Sequence, residues 1–80
     1  MATQEEEPRT MARVQGTVEE RWPKRSYTVW VTRDNGVPVR HVAVRFGRTV
    51  FEGLGATWIE AMNHVDEQRL RAPHRARRRP

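Results

Sequence analysis

The residues of this chain that could do acid–base or metal chemistry are few and widely spaced: three histidines (His41, His64, His74) and ten carboxylates. A zinc site needs nitrogen, sulfur or oxygen donors that one or two elements bring together. Here His41 lies in a stretch with strand periodicity, His64 in one with helical periodicity and His74 in a basic tail, and there is no cysteine to complete a set. The histidines therefore read as scattered surface or edge residues. His64 and Asp66 are two apart, so on a helix they do not face each other. Asp34 suits a turn, Glu60 a helix cap and Glu67 an exposed helix side. Gly53-Leu54-Gly55 lacks the third glycine and the preceding strand of a dinucleotide loop, and no nucleophile elbow is present. The expectation is a protein that is not an enzyme, with no catalytic residue, no metal and no cofactor.

The charge pattern points instead to binding. Lys24 is the one lysine among fifteen basic residues, leaving fourteen arginines. A GC-rich genome and selection for guanidinium chemistry both account for that bias. In either case arginine stays charged and offers a planar fork that fits phosphates and carboxylates. Residues 1–20 hold five acids and two bases (−3), residues 21–68 five acids and seven bases (+2), and residues 69–80 six arginines and no acid (+6). Arg69, Arg71, Arg75, Arg77, Arg78 and Arg79 thus carry most of the positive field. With Pro73 and Pro80 and self-repelling charge, this tail reads as disordered over 72–80. It suits nucleic-acid phosphate, DNA or RNA, by counterion release, while a solubilising terminus or an arm for an acidic protein surface is the alternative.

Eighty residues allow one thin core, expected over 10–71, behind a disordered acidic lead-in over 1–9. A chain of this size rarely has more than a few kcal/mol of net stability, which favours a binding surface over a deep cleft. The lack of cysteine fits a reducing compartment. No apolar run approaches the roughly 20 residues that cross a bilayer, and residues 1–8 are acidic where a signal peptide is basic and then apolar. The chain reads as cytoplasmic, with no membrane partner.

The elements that must position any site follow from periodicity. Ser26 to Arg33 alternates at period two and is rich in aromatic and β-branched residues, as a strand requires. Asn35-Gly36 supplies the two positive-φ positions of a type I′ turn, predicting a hairpin into Val37 to Phe46 with Pro38 near a strand start or edge. That turn sets Val29 opposite Val42, Tyr27 opposite Val44 and Trp30 opposite His41. A second tight turn at Gly47-Arg48 sets Val44 opposite Phe51. Both turns agree on one apolar face: Tyr27, Val29, Val31, Val42, Val44, Phe46 and Phe51.

Gly53 and Gly55 are expected to break the third strand. Thr57 to Glu60 then reads as a capping box opening a helix whose stripe Trp58, Ala61, Met62 and Val65 covers the apolar face. The helix should fade near Arg71. Upstream, Met11, Val14, Val18 and Trp22 suit one face of a short helix, weakened by Gly16 and Thr17, though Val14, Val18 and Trp22 suit a strand as well. The fold class is α+β: a three-stranded antiparallel sheet on a C-terminal helix.

Residues 42–61, a strand ending in glycine, a small-residue turn and a helix opening with Thr57 and Glu60-Ala61, resemble the C-terminal half of a double-stranded-RNA-binding domain. The sequence departs at that family's lysine cluster, where Trp58, Ile59 and Asn63 stand. The strand-strand-strand-helix order is also similar to the arm-site DNA-binding domains of tyrosine recombinases and to HicB-type antitoxins. These resemblances imply nucleic-acid binding in the first two cases and toxin binding in the third.

The candidate surface is the sheet face away from the helix, with Trp30, His41 and Arg45 beside Thr28 and Thr32, and with Arg33, Arg40 and Arg48 near the turns. A lone Trp beside a His could equally shelter under the N-terminal segment as core. The expected function is a small non-catalytic nucleic-acid-binding module using tail and sheet face. The alternative is a protein-interaction or inhibitor module docking on a macromolecular partner. An unpaired strand edge allows a dimer.

Overall fold

The computed structural model describes residues 6–72, so the arginines at 75, 77, 78 and 79 lie outside the described residues. The order is α1 (Met11–Arg21), β1 (Tyr27–Asp34), β2 (Val37–Phe46), β3 (Thr49–Gly55) and α2 (Trp58–Arg71), an α+β fold with one antiparallel sheet ordered β1-β2-β3. No described helix is long and apolar enough to cross a membrane.

Both turns impose the expected registers. Asn35 (φ 57°) and Gly36 (φ 81°) take the left-handed conformations of a type I′ turn, and Gly47 (φ 68°) opens the second turn. Tyr27 pairs with Val44, Val29 with Val42, Trp30 with His41, and Val44 with Phe51. Because side chains alternate, these registers put Val42 and Val44 on one face and His41, Ala43 and Arg45 on the other.

One core forms on the first of these faces. Val42 and Val44 meet Trp58, Ala61, Met62 and Val65 from α2 and Val14, Val18 and Trp22 from α1, all buried, with Tyr27, Val29, Phe46 and Phe51 packed at the margin. One open alternative closes in favour of the short helix, and one expectation changes. The segment before the hairpin is a helix, capped by Thr10, whose side chain accepts from the Arg13 N–H at 3.2 Å, and Gly16 does not break it. Val31, placed on the apolar face, is 46% exposed on β1, an outer strand of the sheet.

The third strand runs through Gly53 and Gly55 rather than stopping at them. A Cβ on Gly53 would strike the Ala61 carbonyl oxygen and come 2.5 Å from the Val65 nitrogen, and one on Gly55 would come 2.6 Å from the Glu60 Cβ. These glycines let α2 lie directly on β3.

The start of α2 accounts for every amide of its first turn. Thr57 Oγ1 accepts from Glu60 N at 3.1 Å, Ala61 N bonds to the Thr57 carbonyl, and the Glu7 carboxylate takes Trp58 N at 2.7 Å and Ile59 N at 3.1 Å. Glu60 reaches back as a capping box does, but to the Ala56 N–H at 3.1 Å, one residue before the cap. Glu7 and the buried Pro8 fall in the expected unstructured lead-in; the helix amides give Glu7 a docking point instead.

Tyr27 ties α1 to β1 through its hydroxyl, which donates to Glu19 Oε2 at 2.6 Å. The bond exists only while the phenol keeps its proton, so Glu19 raises the Tyr27 pKa above its ordinary value of 10.0, by the hydrogen bond first and then by desolvation and by the charge. A raised folded-state pKa means that this stabilisation is present below the unfolded value and lost as pH climbs through the folded one. Tyr27 is the one tyrosine of the chain, so absorbance at alkaline pH reads it alone. The wild-type phenol is expected to ionise above its ordinary range, and Glu19→Gln to bring it back towards 10.0. An unshifted wild-type titration would remove this bond from the fold.

Candidate binding face

Since α1 and α2 both pack on the Val42–Val44 side, the other side of the sheet has no second layer among the described residues. On it stand Thr28, Trp30 and Thr32 from β1, Val39, His41, Ala43 and Arg45 from β2, and Val50, Glu52 and Leu54 from β3. Trp30 is half-buried rather than core. Its indole lies parallel to the His41 imidazole, with ring centroids 4.9 Å apart and planes 6° apart.

His41 is held from both ring nitrogens. Nε2 shares a hydrogen bond with Thr32 Oγ1 at 2.7 Å and Nδ1 one with Glu52 Oε2 at 3.1 Å. The imidazole side chain is only 13% exposed. Hydroxyl, imidazole and carboxylate in this order have the connectivity of a general-base relay. The arrangement also orients: three strands fix the ring against which Trp30 stacks. His41, too far from the other histidines in sequence for a metal site but expected on this face beside Trp30, stands at its centre. The period-two pattern and the two turns did place Thr32 and Trp30 beside it; the diagonal reach to Glu52 depends on rotamers.

The arginines divide. Arg45 is exposed on the open face, four residues along β2 from His41 and so about 13 Å away at the strand rise. Arg48 is exposed in the second turn and Arg71 at the end of α2. Arg33 folds back on its own turn, its Nη1 donating to the Gly36 carbonyl at 3.0 Å.

Arg40 and Arg69 do not belong to the face. Arg40 sits on the covered side, where its guanidinium donates to the Ala56 carbonyl and lies 5.9 Å from the Trp58 ring centroid. Even register parity puts it with Val42 rather than His41. Arg69 packs 4.0 Å over the Phe46 ring and pairs with Asp66 at 3.3 Å, closing α2 over the end of β2.

Two structural knots went unread in the sequence. Asp66 accepts from Arg21 at 3.0 Å, from Trp22 Nε1 at 3.3 Å and from Arg69, joining the end of α1 to α2. Arg21 also reaches Asn63 at 2.8 Å. His64 Nδ1 accepts the Leu54 N–H at 3.0 Å, and its other nitrogen pairs with Gln68 at 3.3 Å, so α2 covers one outward-facing amide of β3. No group of three or more candidate metal ligands occurs among the described residues.

No family model, curated protein or solved structure matches this chain.

Proposed function

We propose that the protein is a small non-catalytic nucleic-acid-binding module, working in the cytoplasm, that presents the Trp30–His41 stack as a platform for bases and uses arginines to attract the backbone. The observation that carries the reading is the parallel stack itself: two rings pre-aligned on a sheet face that neither described helix covers. Base–aromatic stacking gains most when the ring is already fixed, and Thr32 and Glu52 fix this one. Arg45 shares the face, and Arg48 and Arg71 extend the positive field, to which the arginines of 75–79 add sequence charge.

The resemblance of residues 42–61 to a double-stranded-RNA-binding domain supports a nucleic-acid ligand but not that family's helix contact. The lysine positions are taken by Trp58, which is core, Ile59, and Asn63, which is bonded to Arg21. The open sheet face is the better docking surface.

A protein partner is the second reading, favoured by Val50 (52% exposed) and Leu54 (45% exposed) on the same face. Titration with single-stranded and duplex DNA and RNA at two salt concentrations separates the two. Binding that weakens with salt, with tryptophan emission quenched from Trp30, is expected. Stacking of about 1–3 kcal/mol per base means that Trp30→Ala should weaken binding roughly tenfold to a hundredfold. Removal of residues 73–80 should instead flatten the salt dependence. Absence of binding to all four nucleic acids would sink the reading in favour of a protein partner.

A further inference from the structure

The two edges of the sheet are not alike. In antiparallel pairing, residues alternate between exchanging hydrogen bonds with the neighbouring strand and turning their backbone groups away from it. The Arg45 N–H bonds to the Ser26 carbonyl at 2.9 Å, in the register that pairs Tyr27 with Val44. Ser26, Thr28, Trp30, Thr32 and Asp34 therefore bond inward to β2. Tyr27, Val29, Val31 and Arg33 turn their N–H and C=O groups outward. On β3 the same alternation turns Leu54 outward, and His64 caps it. Among the described residues no strand pairs with the outer side of β1.

We infer that β1 pairs antiparallel with β1 of a second copy of this chain, joining two three-stranded sheets into one. The strand is complementary to itself in one register. When Val29 faces Val31 of the second copy, Tyr27 faces its Arg33, and all four outward-facing residues find partners. On the helix side the exposed Val31 is then covered by an apolar neighbour, and the Tyr27 ring lies beside a guanidinium. On the open side Thr28 meets Thr32, Ser26 meets Asp34, and Trp30 meets Trp30 directly across the two-fold axis. That last pair is of the closely spaced, non-hydrogen-bonded kind, so the two indoles are neighbours at the axis.

Neighbouring registers are worse. Sliding by two residues one way sets Arg25 against Arg33, like charge facing like. Sliding the other way sets Val29 against Arg33 and carries Tyr27 past the strand into the turn. Both helices of each copy lie on the same side of the joined sheet, leaving one continuous open face with the two Trp30 residues at its centre. This pairing rests on backbone direction and register alone, and does not depend on the ligand of that face.

Cysteine cross-linking tests the register, since the chain has no cysteine of its own. In the proposed pairing Thr28 and Thr32 are cross-strand neighbours at a non-hydrogen-bonded position, a geometry that closes a disulfide. Mixed Thr28→Cys and Thr32→Cys proteins are expected to give a heterodimer on mild oxidation, while each alone links to itself far less. Val31→Pro removes an outward amide that the monomer does not use, so circular dichroism should be retained while sedimentation shows monomer. Wild-type protein that sediments as a monomer at every concentration overturns the inference, as does a dimer that survives Val31→Pro or links equally well in every cysteine combination. If that monomer still binds nucleic acid through Trp30, the module reading stands without the dimer.

Discussion

Gly53→Ala is expected to destabilise the domain by about 3 kcal/mol, the upper end for an overpacked core, although it adds a single methyl group. The new carbon would press on the Ala61 carbonyl and the Val65 nitrogen. Both are backbone atoms of α2, and neither can swing aside as a side chain could. Relief requires the whole helix to move off β3, which would open the layer in which Met62 and Val65 are fully buried. Against the few kcal/mol available to a domain of this size, most of the folded population is at stake. Gly16→Ala is the internal control. Nothing lies within 4 Å of a Cβ there, and the site is mid-helix, so the same substitution should stabilise by up to about 1 kcal/mol. Thermal melts of the two variants should move in opposite directions. A Gly53→Ala melt equal to the wild type would mean that α2 does not sit on β3 as described.

That pair of glycines also shows where sequence reading succeeds and where it stops. Turns are local: Asn35-Gly36 and Gly47-Arg48 each determine a register through backbone sign alone, and both registers, with the apolar face they imply, were legible before any coordinates. The stripe Trp58, Ala61, Met62 and Val65 was legible for the same reason, because periodicity is a property of one element. Gly53 was misread as a strand breaker because propensity describes the strand and not the helix lying over it. Glu7 was lost in an acidic run because its partners, the amides of Trp58 and Ile59, are far along the chain.

The candidate face was legible to the same depth. Register placed Trp30 opposite His41, and parity separated Arg45 from Val44. The same parity argument removes Arg40, which shares its side of β2 with Val42 and is spent on Ala56 and Trp58. Arg69 looked like the beginning of a free basic tail, yet an aromatic neighbour and Asp66 make it the last residue of the fold's own packing. Charge counted along a sequence says nothing of which guanidinium already has a partner.

Trp22→Ala should be as damaging as Gly53→Ala, by the opposite mechanism. Trp22 is 6% exposed and is the last anchor of α1 before the chain turns into β1. Its indole meets the Phe46 ring edge-on at 6.3 Å, donates Nε1–H to Asp66 and carries the Arg21 guanidinium 5.1 Å from its centroid. Truncation to alanine empties that volume and leaves Arg21 and Asp66 without the ring that frames them. The expected loss is about 3–5 kcal/mol, enough to abolish cooperative unfolding. Trp22→Phe is the milder truncation at the same site. It keeps a ring against Phe46 but removes both the Nε1 bond and the bulk of the indole's second ring, while Asp66 retains Arg21 and Arg69, so the loss should be about 1–2 kcal/mol, a fall of about 4–8 °C in melting temperature for each kcal/mol. Because Trp22 lies in the core beneath the sheet and Trp30 on the open side, the phenylalanine variant should bind nucleic acid as the wild type does. Trp30→Ala should show the reverse pattern, with stability nearly kept and binding weakened by the roughly tenfold to hundredfold loss of base stacking. If Trp22→Ala melts within a few degrees of the wild type, α1 is not part of the cooperative unit, and the helix layer over Val42 and Val44 rests on α2 alone.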